Sequence, residues 1–321
     1  MVVLHKRLTS LILSLLLIVT LFGCRGLSDE FTAYKNGLSV NFIDVGTGDC
    51  IYINLPDGKN MLIDTGEDVG DNLNKIKSVL SAYSVNQIDY LVLSHPNSDH
   101  VNNAKEIIDS YKIDRAFIPK ITTPQGYEEF KSIENALRKE CAIVEYSMPF
   151  LNLSGKDYKI YFLSPCGNEY IDEYYLEFNA SKFPTRTQEN DLSPIIFLEY
   201  LGVKFLFTGD AGVGQESRLM YYYYSGIYEV VFKEFSLRNV DVLKVAHHGS
   251  DSSTSTSFAE LIRPSLAIFT VGADNAYSLP SSDVINKVRA FSPECEILRT
   301  DLDGTITVNV VEQDEYKVYK Q

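Results

Sequence analysis

The sequence predicts an α/β protein built as a four-layer αββα sandwich, and three observations predict it. Strand-like runs outnumber helical ones in each half of the chain. Meanders of strands alternate with single helices, so two β-rich layers face each other and helices cover them. Both halves also use the same device, an apolar strand ending in a histidine cluster: IDYLVLSHPNSDH at 88–100 and VDVLKVAHHGS at 240–250.

Residues 1–23 precede the fold. MVVLHKR is positively charged, LTSLILSLLLIVTLFG is apolar, and Cys24 follows at once, the pattern of an export signal rather than of a structural element. Leu21-Phe22-Gly23-Cys24 resembles a bacterial lipobox, which implies cleavage before Cys24 and lipid on its sulfur. An uncleaved anchor and plain secretion are the alternatives. Each leaves the body of the protein outside the cytoplasm, and the lipid places it on the extracytoplasmic face of the cell membrane. Residues 24–37 read as a polar linker, and 38–321 as one domain large enough for its own core.

Within that domain LSVNFIDV, CIYINLP and KNMLIDT read as strands separated by the turns GTGD and PDGK. DNLNKIKSVLSAYSV has helical spacing, and IDYLVLS is a buried strand. VNNAKEIIDSYK reads as a helix, DRAFIPK as a strand and GYEEFKSIENALRKE as a helix. The segment 151–192 has few clear periods and reads as an insertion or loop near the site. SPIIFLEYLGVKFLFTG is a hairpin turning at Leu201-Gly202, and 214–224 is helical. After the second histidine cluster come SFAELIRP (helix), SLAIFTVG (strand), SDVINKVRAF (helix) and two closing strands, CEILRT and GTITVNVV.

Composition narrows the function. A net charge of −14 disfavours an extended nucleic-acid track, although a local metal site would still accept one phosphate group. Cys50, Cys141, Cys166 and Cys295 are scattered without a CxxC, so neither a thiolate zinc site nor a dense disulfide framework is indicated. Ser193 has no matching base nearby in sequence, which argues against a serine nucleophile.

The histidines carry most of the chemistry. There are five; His5 lies in the signal, and His95, His100, His247 and His248 all fall in the two strand-end clusters. Asp64, Asp99 and Asp210 join them, each at or just beyond a strand end. Imidazoles and carboxylates on rigid strand edges suit a divalent transition metal such as Zn²⁺ or Mn²⁺. Such a metal acidifies a bound water and supplies hydroxide near neutral pH.

DVGTGD, LIDTG, HPNSDH, FTGD, LKVAHHGS and RTDLDGTI occur in this order. With these motifs the chain resembles the metallo-β-lactamase-fold hydrolases. It is most similar to the branch that includes the extracytoplasmic domain of ComEC-type competence proteins and their stand-alone relatives, over roughly residues 38–310. The resemblance implies that His95 and position 97 serve one metal and that Asp99 and His100 serve a second. It makes Asp210 the bridging carboxylate and gives Asp99 and Asp210 the catalytic part. A histidine of the HHG pair completes the second site, and the sequence does not choose between His247 and His248, the other being left to contact substrate. Asp64, Asp44 and Asp49 would support the motif loops through hydrogen bonds.

The departures from the family pattern matter as much. Asn97 stands where a histidine or aspartate is usual, and no histidine lies between His100 and His247. Asn190 and Asp191 are the nearest candidates for that gap, and Ser250 is a further candidate for contact with substrate or metal. The expectation is therefore one tight and one weak metal site. The resemblance favours a phosphodiester substrate, small or polymeric: nucleic acid, a nucleotide or an envelope component. The competing expectation, motivated by Asn97, is a catalytically silent binding or assembly protein on a degenerate scaffold.

Overall fold

Apolar strands pair into two mixed sheets, as seen in a computed structural model that describes residues 31–121, 124–165 and 189–321. The signal 1–23, the lipid site Cys24, and Cys166 lie outside the described residues. All the elements below belong to one compact unit, Ala33–Gln321. Among the described residues no helix is long and apolar enough to cross a membrane. Cys50, Cys141 and Cys295 are free thiols.

The first sheet has eight strands: β1 (Leu38–Phe42), β2 (Ile51–Asn54), β3 (Asn60–Ile63), β4 (Gln87–Val92), β5 (Lys112–Ile118), β6 (Ile143–Tyr146), β13 (Ile306–Glu312) and β14 (Glu315–Lys320). Their order is β14-β13-β1-β2-β3-β4-β5-β6. The second has six: β7 (Tyr158–Phe162), β8 (Ile196–Tyr200), β9 (Val203–Phe207), β10 (Val242–Lys244), β11 (Leu266–Phe269) and β12 (Glu296–Arg299), in the order β12-β11-β10-β9-β8-β7. Each sheet starts as an antiparallel meander and continues in parallel, from β3 in the first and from β9 in the second. Parallel strands need crossovers, and the crossover helices supply the outer layers.

The inner faces of the two sheets meet in one apolar layer that includes Phe42, Phe117, Phe162, Phe205 and Phe207. On the far side of the second sheet, Phe197, Leu206, Leu243 and Ala267 pack against four helices, α5 (Val213–Tyr224), α6 (Ile227–Phe232), α7 (Thr256–Ile262) and α8 (Ser282–Phe291). The helices of the first half are α1 (Asn72–Ala82), α2 (Ser98–Val101), α3 (Ala104–Ser110) and α4 (Pro124–Glu140), which bury Ile76, Val101, Ile107 and Phe130 respectively. A last turn, α9 (Thr300–Asp303), follows β12. The αββα sandwich is thus observed.

Three strands escape a reading based on apolar runs. β6 and β14 are sheet edges with exposed or half-exposed residues, held by ladders to β5 and β13 rather than by burial. β7 is well buried, but it lies inside the stretch read as an insertion. The four tyrosines 221–224 behave as helix packing: Tyr222 and Tyr223 lean on the outer core, while Tyr221 and Tyr224 face solvent.

One buried acid ties α5 to the loop that follows the second histidine cluster. Glu216 accepts hydrogen bonds from the backbone N–H groups of Thr254 and Ser255, the latter at 2.8 Å. Burial raises its carboxyl to about 6, against the pull of those donors and of Lys287. A folded-state value above the unfolded one gives stability that is present below about pH 4.5 and lost as pH rises through 6. Chelator-treated protein should therefore lose about 2 kcal/mol through this group between pH 4.5 and pH 7. Glu216→Gln should remove that part of the slope. Denaturant unfolding of both forms at the two pH values checks this, and identical slopes would sink it.

Candidate metal centre

Topology gathers the site at one edge. Asp64 follows β3, His95 lies beyond β4, Asp210 beyond β9, the two histidines beyond β10, and Thr270 directly after β11. Parallel neighbours end on the same side, and that edge is where open α/β sheets place their sites. Asp49 reaches it from the loop entering β2, which runs antiparallel to β3. That loop needs Gly48: at φ +151° a Cβ there would lie 2.3 Å from the Asp99 carbonyl oxygen. His247 and His248 are consecutive left-handed residues (φ 49° and 53°). Such a backbone costs roughly 1–2 kcal/mol per residue.

Four groups converge on one point. The Nε2 atoms of His100 and His248 are 3.3 Å apart, and Asp210 Oδ1 is 3.3 Å from the first and 3.5 Å from the second. Asp99 Oδ2 lies 3.4 Å from His248 Nε2 and 3.8 Å from His100 Nε2. Donors ~2.1 Å from a tetrahedral zinc stand ~3.4 Å from one another, so this spacing is that of a ligand shell. The hydrogen bonds behind the rings agree. His248 Nδ1 donates to the Thr270 carbonyl at 2.7 Å, leaving an Nε2 lone pair aimed at two carboxylates. His100 Nδ1 lies 2.8 Å from Asp64 Oδ2. Asp210 Oδ1 is buried and makes no hydrogen bond of good geometry among the described residues. The donor set fits a divalent cation.

Electrostatics lead to the same place. Burial opposes charge on His100, yet the carboxylates of Asp210, Asp99 and Asp64 outweigh it and hold the ring well above its usual range. Burial also works against ionised Asp210, and His100 and His248 overcome it, keeping that carboxyl well below its usual range. Ligation through His100 Nε2 would displace the proton that these carboxylates favour on the ring.

The other oxygen of Asp210 faces a second, looser set. Its Oδ2 lies 3.6 Å from His247 Nε2 and 3.8 Å from His95 Nε2. His95 Nε2 is fully buried without a hydrogen-bond partner among the described residues, and burial, then the neighbouring His100, lowers the ring to about 3. Asn97 donates to Asn190 Oδ1 at 3.0 Å, and Asn190 Nδ2 approaches His247 Nε2 at 3.3 Å. The two asparagines are thus linked to each other and to His247.

Among the described residues two groups have ligand spacing, and they differ in burial: Asp99, His100, Asp210 and His248, with Asp99 partly exposed, and Asp49, Asp64 and His100, all buried. The second shares His100 through its opposite nitrogen. Its carboxylates are already engaged, Asp64 by the Ser94 N–H and hydroxyl, Asp49 by the Thr270 hydroxyl at 2.6 Å and Lys244 at 2.5 Å. This second group supports the first.

The remaining candidates take other places. Asp44 accepts from the Gly46 N–H within its own motif loop and pairs with Lys75 near the surface. Asp191 receives the Gly212 N–H at 3.0 Å and ties that turn. Ser250 contacts Ser252, which in turn meets His247 Nδ1 at 2.7 Å. Arg299 pairs with Asp301, its neighbour two residues on. Ser193 corrects an expectation: the fold does bring it a base, His95 Nδ1 at 3.3 Å. The serine is fully buried and accepts the Asp210 N–H, so it orients these two groups rather than attacking a substrate. Lys244, invisible as a site residue in the sequence, lies directly beneath Asp210 at 3.9 Å.

Residues 43–165 match the sequence model of the metallo-beta-lactamase superfamily. Over that stretch the chain resembles the members of that superfamily. The chain is also similar to competence proteins: it is 27% identical over 282 residues to ComE operon protein 3 of Bacillus subtilis, covering 83% of this chain and 32% of that protein. It is 28% identical over 290 residues to competence protein ComA of Neisseria gonorrhoeae, covering 89% of this chain and 35% of that one. The chain thus spans about a third of the length of these curated relatives. Among solved structures, the metallo-beta-lactamase fold protein YhfI from Bacillus subtilis aligns with a TM-score of 0.47 at 11% identity, over 82% of this chain and 96% of that one. The two His/Asp clusters of this chain form a metal-binding architecture typical of hydrolases of the metallo-β-lactamase fold.

Proposed function

We propose that the protein is a lipid-anchored, extracytoplasmic, metal-dependent hydrolase of phosphodiesters. The observation that carries the reading is the convergence of His100 Nε2, His248 Nε2 and Asp210 Oδ1 within 3.5 Å of one another. Those three and Asp99 would hold a divalent ion, Zn²⁺ or Mn²⁺, tightly; His95, His247 and Asp210 Oδ2 would hold a second one weakly. Metal bound there would acidify a water and offset negative charge developing on a phosphoryl oxygen. The chain's own residues do the rest. Asp64 and the Thr270 carbonyl fix the tautomers of His100 and His248. Asp210, through its two oxygens, keeps both sets in register. His247, partly exposed and backed by Ser252, is open to contact with substrate.

Metal content and turnover test this together. Full-length protein in detergent, stripped with chelator and reloaded, should retain close to one Zn²⁺ or Mn²⁺ through gel filtration, with a second bound only at higher metal concentration. It should cleave bis(p-nitrophenyl) phosphate only when loaded. A chain that recruits no divalent metal is not this enzyme. One observation favours a second reading, a silent binding protein: the Asn97–Asn190 amide pair occupies ground where a stronger ligand is usual. Metal retention without turnover on any phosphodiester or ester would select it.

The anchor has its own test. Cys24→Ser should abolish incorporation of labelled fatty acid and leave the precursor unprocessed or the protein released. Absence of label from the native protein would remove the lipid anchor from the proposal.

A further inference from the structure

Lys244 is the last residue of β10 and has no solvent exposure. Along this strand Val242 enters the layer between the sheets and Leu243 the outer core, so Lys244 points back between the sheets. An ammonium group there would be a defect in a purely apolar core. It has three oxygen neighbours instead: Asp49 Oδ2 at 2.5 Å, the Gly209 carbonyl at 2.9 Å and Asp210 Oδ1 at 3.9 Å. The Gly209 carbonyl also accepts the His247 N–H at 3.0 Å. One side chain therefore joins the β2 loop of the first sheet, the peptide that carries Asp210, and the loop that carries both histidines.

We propose that Lys244 is the built-in counter-ion of the metal centre, a positioning residue that holds Asp49 and the Gly209–Asp210 peptide in the liganding arrangement before a cation arrives. The proposal rests on the metal-centre reading above. Four carboxylates, Asp49, Asp64, Asp99 and Asp210, face this small volume, and Lys244 is the only lysine or arginine ion-paired with any of them among the described residues. Asp49 in turn is locked by the Thr270 hydroxyl, whose own backbone carbonyl orients His248. The lysine thus reaches the ligand His248 through one ion pair and two hydrogen bonds, and Asp210 by an ion pair at 3.9 Å.

Thermal unfolding of full-length protein in detergent, with chelator and with saturating Zn²⁺ or Mn²⁺, tests it. Lys244→Met leaves Asp49 buried and unpaired, and its midpoint in chelator should fall by roughly 10 °C. Added metal should recover more than half of that loss, because the divalent ion then balances the carboxylates that the lysine no longer does. Lys244→Met combined with Asp49→Asn should regain most of the chelator midpoint, since the amide still accepts from Thr270 and no charge is left unpaired. Equal losses with and without metal would reduce Lys244 to a packing residue and overturn the proposal. So would a double variant no more stable in chelator than the single one. If Lys244→Met does not fold, folding of the double variant supports the proposal and its failure refutes it. A wild-type protein that gains nothing from metal refutes the metal reading, and the two chelator measurements still judge the lysine.

Discussion

Asp210→Ala should lower phosphodiester turnover about 10³-fold or more, the scale of losing a group that meets charge in the transition state. The reason is geometric. Among the described residues Asp210 is the one carboxylate whose two oxygens face both ring pairs, Oδ1 towards His100 and His248, Oδ2 towards His95 and His247. It is also the acid nearest Lys244 after Asp49, so its removal leaves the histidines without a shared anchor. Circular dichroism should be unchanged, because Asp210 lies in the turn after β9 and not in a ladder. The assay needs saturating Mn²⁺ or Zn²⁺, so that weakened metal binding is not mistaken for lost chemistry. His95→Ala, by contrast, should be milder, since its ring belongs to the looser set. Turnover by Asp210→Ala equal to wild type would remove the proposed centre.

The second large effect separates the neighbouring histidines. His248→Ala should abolish tight metal retention, because its Nε2 is one of four donors at ligand spacing and its Nδ1 is locked by the Thr270 carbonyl. His247→Ala should keep one tightly held metal per chain and lose turnover or the second, weak equivalent. Its ring is 28% exposed, held through Ser252, and stands 3.6 Å from the outer oxygen of Asp210. Metal analysis after gel filtration of both variants decides it. Tight retention by His248→Ala together with loss in His247→Ala would reverse the assignment.

Much of this was legible in the sequence because each strand carries its own signal. LSVNF, NMLI and IFLEY are short apolar runs cut by Gly-containing turns, and local pattern suffices to place them. The edges β6 and β14 were not legible, since what holds them is a neighbour's ladder rather than their own burial. The two histidine clusters could be read at once, as could Asp64, Asp99 and Asp210, because ligand chemistry is restricted to few residue types and these sit at strand ends.

Local pattern and residue chemistry suffice for the αββα architecture and for the residue types of the centre. Tertiary structure alone decided which of two adjacent histidines enters the ligand set. Two left-handed residues in succession turn the rings of His247 and His248 to opposite oxygens of Asp210, and no local pattern encodes that. It also decided that Ser193 orients His95 and Asp210, and that Lys244 lies under the site. Each of those roles is a distance across the seam between two sheets, as with Lys244 and Asp49 from opposite halves of the chain. Charge and hydrogen bonding act over a few ångströms, so only the folded chain brings such partners within reach.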